Sequence, residues 1–98
     1  MLAIEVRQTE RFVRWFAGLH DSQARMRIQA RIRRLSVGNF GDVKSVGQGV
    51  YEMRIDYGPG YRVYFARRGD ALVVLLAGGD KRTQNRDIVN ARAMAREL

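Results

Sequence analysis

Residues 50–77 read VYEMRIDYGPGYRVYFARRGDALVVLLA, and most of the fold can be inferred from them. Residues 50–56 alternate apolar and polar side chains with the two-residue period of a strand. Residues 57–60, YGPG, predict a tight turn, and residues 61–67 form the return strand. After a turn at residues 68–70, the continuous apolar run 71–77 indicates a strand buried on both faces, and therefore a central one. This segment predicts an antiparallel three-stranded meander.

Upstream of the meander, the sequence predicts a strand and two helices. Residues 2–6 place Leu2, Ile4 and Val6 on one face, as in a strand. Thr9 can cap a first helix, and Asp21 or Ser22 can cap a second. Their apolar side chains recur at helical spacing: Phe12, Trp15, Phe16 and Leu19, then Ala24, Ile28, Ile32 and Leu35. The glycine-rich residues 37–49 are predicted to be a loop.

Downstream, residues 78–82 predict a polar loop before a final helix. That helix begins near Thr83 or Gln84 and is expected to bury Ile88, Ala91, Ala95 and Leu98. The element order is β-α-α-β-β-β-α, an α+β architecture in which helices flank the sheet. A chain of 98 residues accommodates one such domain, residues 1–98.

The composition restricts the function classes. Eighteen Lys and Arg face 10 Asp and Glu, a net charge of +8, which favours nucleic acid or an acidic protein segment as partner. Without cysteine and with one histidine, His20, the chain offers no thiolate or histidine-cluster metal site, and no cofactor is expected. No apolar run approaches the about 18 residues of a membrane span. The alternating N-terminus does not look like a secretory signal, so a cytoplasmic protein is expected.

Arg54 and Arg62 are predicted to share one face of the hairpin. The apolar side chains of both strands are expected to face the core. The register must then pair residues whose numbers have an even sum. In such a register the two arginines lie on the opposite, polar face with Glu52 and Asp56. Like charges across strands repel. Either carboxylates compensate them on a solvated sheet face, or a bound phosphate does. Taken alone, the pair favours the first interpretation.

The loop after the last strand favours the second. Asp80, Lys81 and Arg82 precede a helix, whose first amide groups attract anions, and the two preceding glycines allow a close approach of a ligand to the backbone. If the last strand neighbours the hairpin, Lys81 or Arg82 reaches the groove of the strand arginines. Three aromatic side chains could stack on bases there: Tyr57, Tyr61 and Tyr64. Such a basic groove is typical of single-stranded RNA binding.

These segments resemble a known family. Residues 49–65, GVYEMRIDYGPGYRVYF, are similar to a signature of RelE/ParE toxins, in particular the HigB-like, phage Gp49-related branch of addiction module killer proteins. Residues 75–84, LLAGGDKRTQ, and residues 38–44, GNFGDVK, resemble other segments of that branch. The resemblance covers essentially the whole chain.

The resemblance implies the toxin of a type II toxin–antitoxin system, with a helix-turn-helix antitoxin as partner. Such toxins enter the ribosome and cut mRNA without a metal, through attack of a 2′-hydroxyl on the adjacent phosphate. By position, Arg62 would bind the scissile phosphate, Arg54 and Arg82 would stabilise charge, and Lys44 and Lys81 would contact RNA.

The chain departs from the family where the general base is expected. Some relatives have tyrosine or histidine in the C-terminal segment, whereas this chain has Asp87 and Ile88. Arginine stays protonated and is a poor base. The candidates for proton transfer are Glu52, Asp56 and Asp80, or a tyrosine such as Tyr57 or Tyr61.

Three functions therefore remain open at this point. The first is a ribosome-dependent mRNA endoribonuclease. The second is a ParE-like, non-enzymatic inhibitor of DNA gyrase, which would need no base. The third is a degenerate toxin that acts as a transcriptional co-repressor with its antitoxin. A homodimer and a heterotetramer with the antitoxin are both compatible with the sequence.

Overall fold

The computed structural model describes residues 3–98, which form one five-stranded sheet with helices on both faces. The elements follow in the order β1 (Glu5–Gln8), α1 (Glu10–Ala17), α2 (Ser22–Ser36), β2 (Val43–Gly47), β3 (Val50–Ile55), β4 (Tyr61–Arg68), β5 (Leu72–Gly79), a 3₁₀ turn (Lys81–Thr83) and α3 (Gln84–Arg96). The strand order in the sheet is β1-β5-β4-β3-β2. β1 runs parallel to β5, and the other neighbours are antiparallel. The predicted α+β meander is confirmed, and β5 is an interior strand as expected.

Side-chain caps explain where the first two helices begin. Thr9 Oγ1 accepts a hydrogen bond from Phe12 N (3.1 Å) and donates one to the Leu76 carbonyl (2.6 Å), which ties α1 to the sheet. The Asp21 carboxylate accepts from the backbone N–H groups of Gln23 and Ala24, at 3.0 and 3.2 Å. Asp21 is therefore the cap of α2, because a carboxylate there satisfies otherwise unpaired amide donors.

The sheet separates two apolar cores. The helical hairpin α1–α2 covers one face, and that core contains Phe12, Ile28, Leu35, Met53, Ile55, Val63, Phe65, Val73 and Leu75. α3 covers the other face, and that core contains Val46, Val50, Tyr64, Ala66, Val74, Leu76, Ala91 and Ala95. Because both faces are covered, residues 63–66 of β4 and 73–77 of β5 are buried without alternation.

Three details differ from the sequence-based expectations. The predicted loop 37–49 contains strand β2, which pairs with β3 at the edge of the sheet. The first strand is Glu5–Gln8 rather than 2–6, and Leu2 lies outside the described residues. Leu98 follows the end of α3 and is 57% exposed, so it is not part of the core. Between residues 3 and 98, no helix is long and apolar enough to cross a membrane.

The glycine pair at the end of β5 allows two side chains to pack closely against the strand. A Cβ built on Gly78 would lie 2.2 Å from the indole ring of Trp15, and one on Gly79 would lie 1.9 Å from Asp87 Oδ2. Real Cβ atoms are never found so close to neighbouring atoms. The expectation that these glycines admit a ligand is therefore wrong, since α1 and α3 occupy the space above them.

Candidate functional site

A cleft of about 440 Å³ opens where the β3–β4 hairpin meets the segment after β5. It is lined by Asp42, Arg54, Ile55, Asp56, Gly58, Pro59, Gly60, Arg62 and Lys81. Arg54 and Arg62 share one face of the hairpin, as predicted from the sequence, and the register places them directly opposite each other across β3 and β4. Lys81 is brought to the same place by a hydrogen bond from its backbone N–H to the Pro59 carbonyl (3.4 Å). Three cations on separate elements thus converge on a space large enough for a phosphate.

Arg62 is the most enclosed of these cations. Its side chain is 11% exposed, and its Nη1 donates to the Gly60 carbonyl at 2.9 Å. Its Nε is buried and makes no hydrogen bond to any residue in 3–98. The nearest carboxylate oxygen, Glu52 Oε1, lies 3.7 Å from this Nε. Within residues 3–98 its Nη2 also donates no hydrogen bond, so Arg62 retains a donor for an anion in the cleft that it lines.

Glu52 lies behind the arginines rather than on an outer face. The sequence predicted it to be solvated, but α3 covers this face of the sheet and the side chain is fully buried. Its Oε1 accepts from Arg54 Nε (3.0 Å), and its Oε2 accepts from Tyr64 OH (3.0 Å) and Gln84 Nε2 (2.9 Å). Burial raises its pKa, but the hydrogen bonds from Gln84, Arg54 and Tyr64 and the charge of Arg62 outweigh burial and lower the pKa overall. Glu52 is therefore ionised, inaccessible to a substrate and a weak base.

This ionised carboxylate predicts part of the acid sensitivity of the fold. A lowered pKa in the folded state means that the stabilisation is complete above the ordinary pKa of 4.5 and is lost as the pH falls through the folded value. We expect the melting temperature of Glu52→Gln to fall less steeply than that of the wild type below about pH 4.5. Thermal unfolding between about pH 7 and about pH 3 measures this. An equal decrease of the melting temperature on acidification in the two proteins would contradict this expectation.

The predicted groove with interleaved tyrosines is not present. Tyr64 is fully buried beneath α3 and donates to Glu52, so it cannot stack on a base. Tyr61 lies opposite Ile55 and packs against Trp15 on the other face of the sheet from Arg62. Tyr57 also contacts the helical hairpin, because it donates to Asp21 (3.0 Å) and lies under the guanidinium of Arg27. The expectation that these tyrosines stack on bases in the groove is therefore wrong, because Tyr57 and Tyr61 contact the helical hairpin and α3 covers Tyr64.

Arg82 does not join the cleft formed by Arg54, Arg62 and Lys81. Its side chain is 82% exposed and pairs with Asp80 at 3.0 Å, so the expected convergence of Arg82 with the strand arginines is wrong. Arg82 lines an adjacent depression of about 350 Å³ at the start of α3, together with Lys81, Thr83, Gln84, Asn85 and Arg86. The hydrogen bond from Arg82 lowers the pKa of Asp80. Asp80 is therefore engaged as a cap and ion-pair partner rather than free to take a proton.

Two exposed carboxylates line the cleft. Asp56, one of the candidates from the sequence, follows β3, and Asp42 precedes β2. Asp42 was missed because it lay in a predicted loop. Its backbone carbonyl accepts hydrogen bonds from Arg54 N (3.0 Å) and from Arg31 Nη2 (3.3 Å), which fix its position.

Two further residues considered in the sequence analysis are not among those that line the cleft. Lys44 lies opposite Glu52 in the β2–β3 ladder and is exposed, so it shares the face of the sheet on which the strand arginines lie. Asp87 lies in the C-terminal segment in which a general base was expected, but it is 6% exposed and accepts from Thr83 Oγ1 at 2.5 Å, over Gly79. Asp87 is therefore a packing residue. Within residues 3–98, no three side chains of the metal-ligating types come together.

Comparisons with known proteins agree with this architecture. Residues 14–96 match the family model described as phage-derived protein Gp49-like (DUF891). The chain belongs to the phage-derived Gp49-like family. An uncharacterized protein of Haemophilus influenzae (strain ATCC 51907 / DSM 11121 / KW20 / Rd) is 48% identical to this Gp49-like chain over 97 residues, which cover 99% of this chain and 98% of the relative.

Solved structures show that the Gp49-like chain has the fold of RelE toxins. A mutant of E. coli toxin RelE in the free state is 16% identical and superimposes with a TM-score of 0.73, over 95% of this chain and 97% of that one. A chain of the intact E. coli RelBE toxin–antitoxin complex is 18% identical, with a TM-score of 0.65 over 80% and 96% of the two chains. The predicted Gp49-related family is thus confirmed by the family model, and the predicted RelE-like fold is confirmed by the solved structures.

Proposed function

We propose that this chain is the toxin of a type II toxin–antitoxin pair and that it cuts mRNA in the cytoplasm, on the ribosome. The observation that carries the proposal is the convergence of Arg54, Arg62 and Lys81 on one cleft. A RelE-like fold and the net charge of +8 support it, because both fit a protein that binds the phosphates of RNA.

The cleft residues can stabilise the transition state of RNA cleavage. The 2′-oxygen attacks the adjacent phosphorus as it loses its proton, the O2′–P bond forms, and the P–O5′ bond breaks. The products are a 2′,3′-cyclic phosphate and a 5′-hydroxyl group, which receives a proton. Negative charge grows on the phosphate oxygens in between. Fixed guanidinium and ammonium groups beside those oxygens lower the barrier, which is the main contribution that a site of this kind can make.

In this reaction we assign Arg62 to the scissile phosphate, because it is the most enclosed cation and its Nη2 donates no hydrogen bond within residues 3–98. Arg54 and Lys81 contact the same phosphate or its neighbour from the other sides of the cleft. Proton transfer is assigned to the exposed carboxylates that line the cleft, Asp42 and Asp56. Glu52 is buried and Asp80 is held by Arg82, so neither can reach a 2′-hydroxyl group.

We further propose an antitoxin as partner. The E. coli and Mycobacterium tuberculosis structures with this fold include toxin–antitoxin complexes. An acidic segment of a helix-turn-helix antitoxin would complement the positive charge of this chain. Such a segment could inhibit the toxin by covering the cleft or its approaches.

Expression in bacteria tests the proposal. We expect growth arrest, with cuts in translated messages and with rescue by the antitoxin. Mapping of the 5′ ends of cellular mRNA measures the cuts. Arrest with intact messages would contradict the nuclease proposal, and inhibition of supercoiling by purified gyrase would then identify a gyrase inhibitor. Normal growth together with altered operator binding by the antitoxin would identify a co-repressor.

A further inference from the structure

The carboxylate of Glu52 lies where β3, β4 and α3 meet behind the cleft, and its two oxygens have different partners. Oε1 faces the arginines, at 3.0 Å from Arg54 Nε and 3.7 Å from Arg62 Nε. Oε2 is held by Tyr64 of β4 and Gln84 of α3, at 3.0 and 2.9 Å. One oxygen thus contacts the two cations, and the other is anchored to the scaffold.

This arrangement solves an electrostatic problem of the site. Arg54 and Arg62 are directly opposed on neighbouring strands, where like charges repel and would push the side chains apart. A buried negative charge between their Nε atoms compensates the repulsion. A buried carboxylate is itself tolerated only when it is paired and hydrogen-bonded. Glu52 meets that condition through Arg54, Tyr64 and Gln84.

Glu52 also contacts both arginines at the same edge of the guanidinium group. Both turn the Nε side of the guanidinium group towards Glu52. Within residues 3–98, the two Nη atoms of Arg54 and the Nη2 of Arg62 donate no hydrogen bond, and both side chains line the cleft. A guanidinium group binds phosphate through parallel N–H donors in a fixed plane, so its orientation decides whether it can bind at all.

We propose that Glu52 is a positioning residue, which orients the guanidinium groups of Arg54 and Arg62 so that their Nη atoms face a phosphate in the cleft. Gln84 extends this role, because it anchors Glu52 to the first turn of α3. The role in cleavage rests on the proposed function, whereas the orientation of the arginines is a property of the free protein.

NMR spectra of the arginine Nε–Hε groups test the orientation without any substrate. In Glu52→Gln we expect the signals of Arg54 and Arg62 to shift, while that of Arg14, an exposed arginine paired with Glu10 on α1, stays in place. Gln84→Ala keeps the charge and removes one anchor, so it should shift the same two signals less. Unchanged signals of Arg54 and Arg62 in a folded Glu52→Gln protein would overturn the proposal.

Cleavage kinetics on ribosomes programmed with mRNA test the consequence. We expect Glu52→Gln to lower kcat about 100-fold, because misplacing the groups that stabilise a transition state has effects of this size. KM should stay the same or fall, since the cleft becomes more positive. We expect Gln84→Ala to lower kcat about tenfold. The pH dependence of kcat should keep its shape. Loss of the acidic limb of this pH profile in Glu52→Gln would instead identify Glu52 as the proton acceptor. An unchanged kcat would exclude Glu52 from the mechanism.

A double variant that exchanges the two side chains distinguishes positioning of the arginines from stabilisation of the fold alone. The double variant Glu52→Gln with Gln84→Glu restores an amide–carboxylate hydrogen bond but moves the charge to α3, away from the Nε atoms. We expect its melting temperature to recover while kcat stays low. Recovery of both would show that Glu52 only stabilises the fold. If the wild type cut no RNA, the proposed function would fail, and the NMR comparison would still decide whether Glu52 orients the arginines.

Discussion

Replacement of Arg62 by alanine is expected to abolish growth inhibition and leave a folded protein. The side chain is the most enclosed cation of the cleft, and its loss removes donors from the position at which charge would develop on a phosphate. Loss of one such donor lowers kcat by about 100- to 1,000-fold. The fold should survive, because Glu52 keeps its hydrogen bonds from Arg54, Tyr64 and Gln84. Growth assays, cleavage mapping and thermal unfolding of the purified variant measure the three quantities.

Arg14→Ala is the matched control for this experiment. It removes the same charge from the chain, but Arg14 is an exposed residue of α1 that pairs with Glu10. We expect it to keep full activity, which would separate the loss of a cleft residue from the loss of overall positive charge. A folded Arg62→Ala protein that inhibits growth as strongly as the wild type would exclude Arg62 from the mechanism.

Replacement of Gly78 by alanine is expected to give a large loss of stability. Its Cβ would lie 2.2–2.3 Å from three atoms of the Trp15 ring, which cannot move without displacing α1 from the sheet. Overpacking of this kind costs about 2–3 kcal/mol of the free energy of unfolding. In a domain of this size, the melting temperature should therefore fall by about 10 °C or more. Chemical denaturation and calorimetry measure the two quantities.

Two further variants make the cause of this effect testable. Trp15→Leu is expected to restore part of the stability of Gly78→Ala, because the clash needs both side chains, so the two substitutions should not be additive. Gly18→Ala is the control. Gly18 ends α1 with φ −80, and a Cβ there would meet no atom closer than 3.4 Å. Its effect should stay within about 0.5 kcal/mol. Equal stability of Gly78→Ala and the wild type would contradict the packing described above.

The meander could be predicted from sequence because its signals are local. Alternation in residues 50–56, the turn at 57–60 and the apolar run 71–77 each specify an element without information from the rest of the chain. The placement of Arg54 and Arg62 on one face followed from the same alternation and is confirmed. Strand β2 was missed because its five residues, VKSVG, carry one buried side chain and adjoin glycines, which is also the pattern of a loop.

The candidate site was harder to predict, because it depends on which surfaces the helices cover. Alternation places Glu52 and Tyr64 on the polar side of the hairpin, and only the docking of α3 turns that side into an interior. Lys81 lines the cleft and Arg82 does not, and the backbone N–H of Lys81 donates to the carbonyl of Pro59 in a different turn. Long-range contacts of this kind leave no periodic trace in a single sequence. The buried Asp87, whose place above Gly79 requires tertiary packing, is a further example.

The parallel pairing of β1 with β5 also governs the order in which the molecule can assemble. Thr9, just after β1, bonds to Leu76, 67 positions further along the chain. Closing so long a loop has an entropic cost that must be met before the contact stabilises anything. During synthesis, β1 therefore cannot pair with β5 until β5 has emerged from the ribosome. Because Lys81 follows β5, the basic cleft is likewise completed late, and a nascent chain lacks it until that segment is free to fold.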